Sequence, residues 1–284
     1  MTKRTWLFDL QGHRGARGLL PENTLPAFGL ALELGVRTLE LDVGISADHR
    51  VVVSHDPVIS REICSHPDGT AVTTEIRLFD LPYGDIALFD CGARGNPRFP
   101  DQKPMAARKP LLQEVITFEK DHSAALGRAP ALWNIETKST PAGDGRLHPG
   151  PEIFATLVYG VLQEGGILNR TVVQSFDVRT LQVLRTMDPA LRLALLVEEE
   201  QVEQLDDNLQ RLGFVPEVYS PDHTVLTGAL VRKIKAAGMK TLPWTVNEPA
   251  RMEELLEMGV DGFITDYPDR GMALLRQESP KEGP

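Results

Sequence analysis

Seven polar side chains in this 284-residue chain have the types and spacing for chemistry on an anion. His13 and Arg14 stand together in the glycine-rich stretch GHRGARG, Glu40 and Asp42 alternate in LELDV, Glu136 and Lys138 alternate in WNIETK, and His55 precedes Asp56 in VVVSHDP. Residues i and i+2 of an extended segment face the same side, so the second and third pairs each project together. Three carboxylates gathered at one place repel one another and lose hydration, a cost that a bound cation removes. Oxygen-only donors suit Mg2+ or Ca2+ rather than Zn2+. Arg14 and Lys138 beside such a cation make a receptor for an anion such as phosphate. His13 and His55 can then act as acid and base near neutral pH.

Taken singly, each of these residues has an ordinary structural role. A lone Glu-x-Asp on a strand is a solvated edge or an ion pair, a lone histidine is structural, and Trp244 by itself is a core residue. Convergence changes the weighing, because several strand ends each offer a polar residue unsuited to a core. His49, His66, His122, His148 and His223 fall in loops or at helix ends and are read as structural.

The elements that would position these groups follow a repeating order of short apolar run, polar loop, amphipathic segment, glycine, next apolar run. Strands are predicted at Leu7–Gly12, Thr38–Val43, Ala131–Thr137, Thr171–Phe176, Arg192–Val197, Glu217–Ser220, Lys240–Val246 and Gly262–Asp266. Helical periodicity marks Thr24–Leu34, Leu111–His122, Ile153–Gln163, Val178–Met187, Val202–Leu212, Leu226–Ala237 and Arg251–Met258. Alternating strands and helices imply a parallel sheet, and eight units suggest an α/β fold closed as a (β/α)8 TIM barrel. An open doubly wound sheet would carry a GxGxxG fingerprint after its first strand, and none stands there. Polar residues at strand ends would line the barrel mouth.

One further run, Val51–Val53, follows the second strand through a link too short for a parallel crossover, so an antiparallel hairpin at the rim is expected. Residues from about 56 to 110, rich in Pro, Gly and Asp, read as a small inserted cap within one barrel domain spanning the chain. Cys64 and Cys91 lie there, with no metal-site spacing. Free thiols are expected, with a disulfide the alternative in an exported protein. The tail QESPKEGP is expected to be disordered.

Composition is that of a globular chain, at 42% hydrophobic and 25% charged residues. A formal net charge of −10 argues against nucleic acid or an anionic membrane surface as a partner. No apolar run approaches the length of a membrane span. Asp9 interrupts the N-terminal apolar stretch too early for a secretory signal. The expected location is therefore cytoplasmic, or periplasmic if a signal has been removed.

The segments HRGARGLLPENTLPAF, ELDV, VVVSHDP, IETK, VVQSF, PWTVN and GFITDYP occur in that order from Gly12 to Pro268. In this combination the chain resembles the glycerophosphodiester phosphodiesterase family. The resemblance implies cleavage of a glycerophosphodiester to glycerol 3-phosphate and an alcohol. It implies a divalent cation on Glu40, Asp42 and Glu136, acid–base roles for His13 and His55, and phosphate contacts from Arg14 and Lys138. It also implies that the insertion is a cap over the glycerol end. Two departures stand out: the turn GISADHR lacks the usual Thr-Lys/Arg-Asp-Gly, and Thr137 replaces a common aliphatic residue and should face away from the mouth.

A phosphodiester needs a nucleophile. Ser175 is a weak candidate because QSF has no glycine turn around it, which leaves water or the substrate's own 2-hydroxyl, a neighbouring group in near-attack range. Trp244 is placed as an apolar wall against the glycerol carbons. Two other functions compete, a lysophospholipase D or related lipid phosphodiesterase and a non-catalytic binding protein on the same barrel. A lipid enzyme calls for an apolar rim, which the insertion does not plainly supply. A binder has no need of both histidines.

Overall fold

A computed structural model describes residues 8–278. Among the described residues the nine strands are β1 (Asp9–Gly12), β2 (Thr38–Ile45), β3 (Val51–Val53), β4 (Leu132–Thr137), β5 (Thr171–Ser175), β6 (Arg192–Val197), β7 (Val218–Pro221), β8 (Lys240–Thr241) and β9 (Gly262–Thr265). All but β3 run parallel, in the order β8-β7-β6-β5-β4-β2-β1-β9. Backbone bonds from Ile264 N–H to the Pro243 carbonyl and from Val246 N–H to the Ile264 carbonyl join the two ends of this order. The result is the expected eight-stranded (β/α)8 barrel.

Helices separate the strands: α1 (Leu25–Leu34), α2 (Tyr83–Ile86), α3 (Leu112–Ala125), α4 (Pro151–Glu164), α5 (Val178–Met187), α6 (Leu205–Leu212), α7 (Gly228–Ala236), α8 (Pro249–Met258) and α9 (Pro268–Glu278). In α1, Thr24 caps the first turn by accepting from Ala27 N–H, Pro26 sits where its missing N–H is harmless, and Gly35 ends the helix in the left-handed conformation. Leu39, Leu41, Val43, Trp133, Ile135, Phe28 and Phe154 pack between sheet and helices with almost no exposure. The opposite residues of the same strands, Glu40, Asp42, Asn134 and Glu136, are also buried, and two of them, Glu40 and Asn134, bond to side chains from other strands around the barrel.

Several boundaries differ from expectation. β8 ends at Thr241 rather than Val246, because Pro243 has no N–H to continue a ladder. β2 runs on to Ile45 because β3 pairs with it antiparallel, Val43 opposite Val53, which is the expected rim hairpin. Its turn forms without the usual turn residues, with Ser46 N–H donating to the Arg50 carbonyl and His49 at φ 57°. α9 absorbs Gln277 and Glu278, which sequence assigned to a disordered tail; residues 279–284 of that tail, like Leu7 of the first predicted strand, lie outside the described residues.

Between β3 and α3 the chain builds a second apolar cluster of its own, including Ile59, Ile63, Val72, Leu78, Ile86 and Phe89. Cys64 and Cys91 lie in that cluster and are bonded to each other, which corrects the expectation of free thiols. The reason is local: Ser65 and Asp90, their neighbours, exchange backbone hydrogen bonds and bring the two cysteines side by side. The returning limb of the insertion rests on the loop after β1. Gln102 Nε2 donates to the Arg17 carbonyl at 2.7 Å, Lys103 N–H donates to the Leu19 carbonyl, and Phe99 packs against Tyr267 and under Arg17.

Candidate active site

The loop after β1 folds back so tightly that only glycine fits twice. A Cβ on Gly12 would stand 2.2 Å from the Gly15 carbonyl oxygen, and one on Gly15, at φ +87°, would stand 2.6 Å from the Ala27 backbone. Between them Arg14 takes a left-handed conformation, φ 49°, unusual for a residue with a side chain. That turn aims its N–H at Glu40 Oε2, 2.9 Å away, while its carbonyl accepts from Asn23 N–H. The guanidinium reaches Asp42 Oδ2 at 3.2 Å and Glu22 Oε1 at 2.7 Å, and Glu22 also holds Arg17.

The three carboxylates meet as expected. β2 and β4 pair in parallel with Asp42 opposite Glu136, and ligand oxygens of Glu40, Asp42 and Glu136 lie within 4.8 Å of one another. Burial raises the pKa of Glu40 well above the usual range, and Asp42 adds to the rise. Burial likewise raises Glu136, against the pull of Lys138. Asp42 goes the other way: burial would raise it, but Arg14 above all, with His55 and Lys138, holds it far below the ordinary range. Lys138 Nζ lies 2.6 Å from Glu136 Oε1 and 3.9 Å from Asp42 Oδ1. Asp42 Oδ1 is buried with no hydrogen-bond partner. An orphaned carboxylate oxygen facing two other carboxylates is a donor set that fits a hard divalent cation.

The two histidines reach the mouth from different elements. His13 Nδ1 is 2.6 Å from Asp266 Oδ1 at the end of β9, and its Nε2 accepts from Arg14 Nε at 3.2 Å and lies 3.9 Å from Glu40 Oε2. Burial lowers its pKa, more than Asp266 raises it. His55 follows β3, its Nδ1 2.8 Å from Asp56 Oδ1, with about a third of its side chain exposed. Lys109 is buried and donates to Oγ of Ser54, the residue before it.

Trp244 lies on the β5–β8 side, its ring edge-on to Phe176 at 5.4 Å and its Nε1 donating to the Ser220 carbonyl. Lys138 Nζ is 5.9 Å from the Phe176 ring, so this aromatic corner adjoins the carboxylates. Ser175 is fully buried and donates to the Thr137 carbonyl, a bracing role that removes it as a nucleophile. Thr137 Oγ1 bonds Thr180 of α5, so its side chain does face away from the mouth. His148 is structural, taking the Thr140 N–H on Nε2.

Sequence reasoning missed the residues that support this site. Gln174 donates to Glu40 Oε1, Asn23 Nδ2 donates to Asp42 Oδ2, and Asn134 ties Gln11 to Gln174. Glu22, Asp266 and Asn247 stand in the segments PENT, ITDYP and PWTVN. Their signal was position, each beside or at a strand end that already carried a candidate.

Comparison with known proteins gives the family and the same barrel. Residues 13–270 match the Glycerophosphoryl diester phosphodiesterase family. A glycerophosphodiester phosphodiesterase from Caldanaerobacter subterraneus subsp. tengcongensis is 31% identical over 267 residues, 93% of this chain and 96% of that protein. A crystal structure of a protein described as a putative glycerophosphoryl diester phosphodiesterase, from Silicibacter pomeroyi, superposes with a TM-score of 0.85 at 30% identity, covering 96% of this chain and 94% of the other. An Oleispira antarctica phosphodiesterase in complex with the product sn-glycerol-3-phosphate shares the fold, with a TM-score of 0.76 at 22% identity over 96% and 98% of the two chains. With the match running through nearly the whole barrel, the chain is an enzyme of the glycerophosphoryl diester phosphodiesterase family.

Proposed function

We propose that this enzyme hydrolyses glycerophosphodiesters to glycerol 3-phosphate and an alcohol, with Mg2+ or Ca2+ held by Glu40, Asp42 and Glu136. The observation that carries the reading is the unpartnered Asp42 Oδ1 among three buried carboxylates, flanked by Lys138 and Arg14. Charge arithmetic supports it. Three carboxylates against two cations leave one negative charge; a divalent cation turns that into one positive charge, which a phosphodiester monoanion neutralises. When bound, the cation would lower the pKa of a nearby hydroxyl and offset charge on the phosphoryl oxygens.

Arg14 and Lys138 hold the phosphate in this reading, and Trp244 with Phe176 forms an apolar wall for the glycerol carbons. The 2-hydroxyl of the substrate attacks phosphorus, one histidine takes its proton, and the other protonates the departing alcohol oxygen as its bond to phosphorus breaks. Water then opens the cyclic 1,2-phosphate with the histidine roles reversed. A disulfide between Cys64 and Cys91 favours an oxidising compartment over the cytoplasm. Among the described residues no helix is long and apolar enough to cross a membrane.

Assaying purified enzyme on glycerophosphocholine, glycerophosphoethanolamine, glycerophosphoinositol and lysophosphatidylcholine tests the substrate class. Turnover of the first three, lost with chelator and restored by Mg2+ or Ca2+, is expected; preference for lysophosphatidylcholine would move the reading to a lipid phosphodiesterase. A 2-deoxy substrate should be inert. If it turns over as fast as the natural diester, water is the nucleophile instead.

A further inference from the structure

We propose that Lys109, at the end of the insertion, is a positioning residue for the reaction: its ammonium locks the turn from Ser54 to Asp56 and so fixes where the ring of His55 stands. The proposal rests on the role given to His55 in the preceding section and adds what holds that residue in place.

Lysine is seldom fully buried without a partner charge. Lys109 is 8% exposed, and among the described residues its Nζ makes one hydrogen bond, to Ser54 Oγ at 2.8 Å, and no ion pair. Burial lowers its pKa while Glu22 and Asp56 pull the other way, which sets the ammonium between the loop after β1 and the turn that carries His55. Its backbone is held on both sides. The Pro110 carbonyl accepts from Val53 N–H at 2.8 Å, and Leu111 bridges Val52 antiparallel. Glu114 accepts from Leu111 N–H at 2.8 Å and pairs with Arg108 at 2.7 Å, and Tyr83 OH donates to the Lys109 carbonyl at 3.2 Å. The last limb of the insertion thus lies along β3 and hands one side chain across to the turn that follows it.

Counting hydrogens gives this contact a single direction. An ammonium has donors only, so Ser54 Oγ accepts from Lys109, and its one hydroxyl hydrogen goes to the Asp56 carbonyl, 2.7 Å away. Ser54 N–H donates to the Asp42 carbonyl at 2.9 Å. His55 therefore hangs between two residues that are both fixed through Ser54, with its Nδ1 2.8 Å from Asp56 Oδ1. Its side chain is 34% exposed, so packing alone does not hold the ring, and the turn must. Without a donor at position 109 the hydroxyl is free to rotate, and the Asp56 carbonyl is released.

The test is Lys109→Met, which keeps the length of the stem and removes every donor. A role in stability alone would lower the melting temperature and leave kcat as it is. On glycerophosphocholine kcat should instead fall about 10²-fold, the cost of a displaced reacting group, with KM within about threefold. Ser54→Ala should show the same loss, and the double variant no more than either alone, because both act through one relay. Added to His55→Ala, Lys109→Met should cost nothing further. Amide exchange at Ser54 should quicken about tenfold in Lys109→Met while β4–β7 amides keep their protection. Unchanged kcat, a raised KM at constant kcat, or a full additional loss in either double variant would overturn the proposal. Should Lys109→Met not fold, Ser54→Ala decides by the same kcat and exchange readings. Near-native activity of His55→Ala would instead remove that histidine from the mechanism, and exchange at Ser54 would then decide whether Lys109 holds the turn.

Discussion

At the scale of single residues, the site is a set of charges that are tolerable only together. Lys138 neutralises Glu136 and leans toward Asp42, so Lys138→Met should lower kcat more than it raises KM, because charge on the phosphoryl oxygens grows toward the transition state. Steady-state kinetics on glycerophosphocholine check this, and unchanged kcat would remove Lys138 from the phosphate. Asp266 carries a pH signature. Its carboxyl binds a proton less tightly folded than unfolded, so it stabilises the fold above about pH 4, by on the order of 2 kcal/mol, and that contribution is lost as pH falls toward 2. Urea unfolding of the native protein and Asp266→Asn should differ most at pH 5 and converge by pH 2. The candidate site residues were legible in the sequence because their types are wrong for a core. Glu22, Gln174 and Asn247 were not, because each works only through a partner distant along the chain or across a loop that sequence does not fold.

At the scale of elements, alternation in β2 and β4 was enough to set Glu40, Asp42 and Glu136 on the inner face, since a strand has only two faces. The hairpin at β3 was legible for an equally simple reason, the shortness of its link. Where β8 ends, and the pairing of the cysteines, depended on contacts between segments. The insertion has a modest apolar cluster and leans on its crosslink. Closing a loop between residues 27 apart removes denatured-state freedom worth about 3 kcal/mol. Replacing both Cys64 and Cys91 by serine should cost roughly that much in the stability of the insertion, read by hydrogen exchange at the backbone amides of positions 65 and 91, while β4–β7 amides keep their protection. Equal loss of protection throughout would show that insertion and barrel unfold as one.

At the scale of the whole molecule, three buried carboxylates are a weakness of the cation-free enzyme that ligation repairs. Adding Mg2+ or Ca2+ at about a hundred times its dissociation constant should stabilise the fold by about 2.7 kcal/mol, visible as a rise in melting temperature. Glu40→Gln should weaken that response and, because both Glu40 oxygens accept buried N–H groups and the amide can replace only one of them, should also lower the stability of the cation-free fold. An unchanged response would move the cation away from this triad. The barrel closes with β9 beside β1, and the hydrogen bond between His13 and Asp266 joins residues 253 apart. A ribosome therefore makes His13 long before it makes the carboxylate that pairs with it. A chain halted before β9 would leave β1 without its neighbour on that side and His13 without the Asp266 carboxylate it is bonded to.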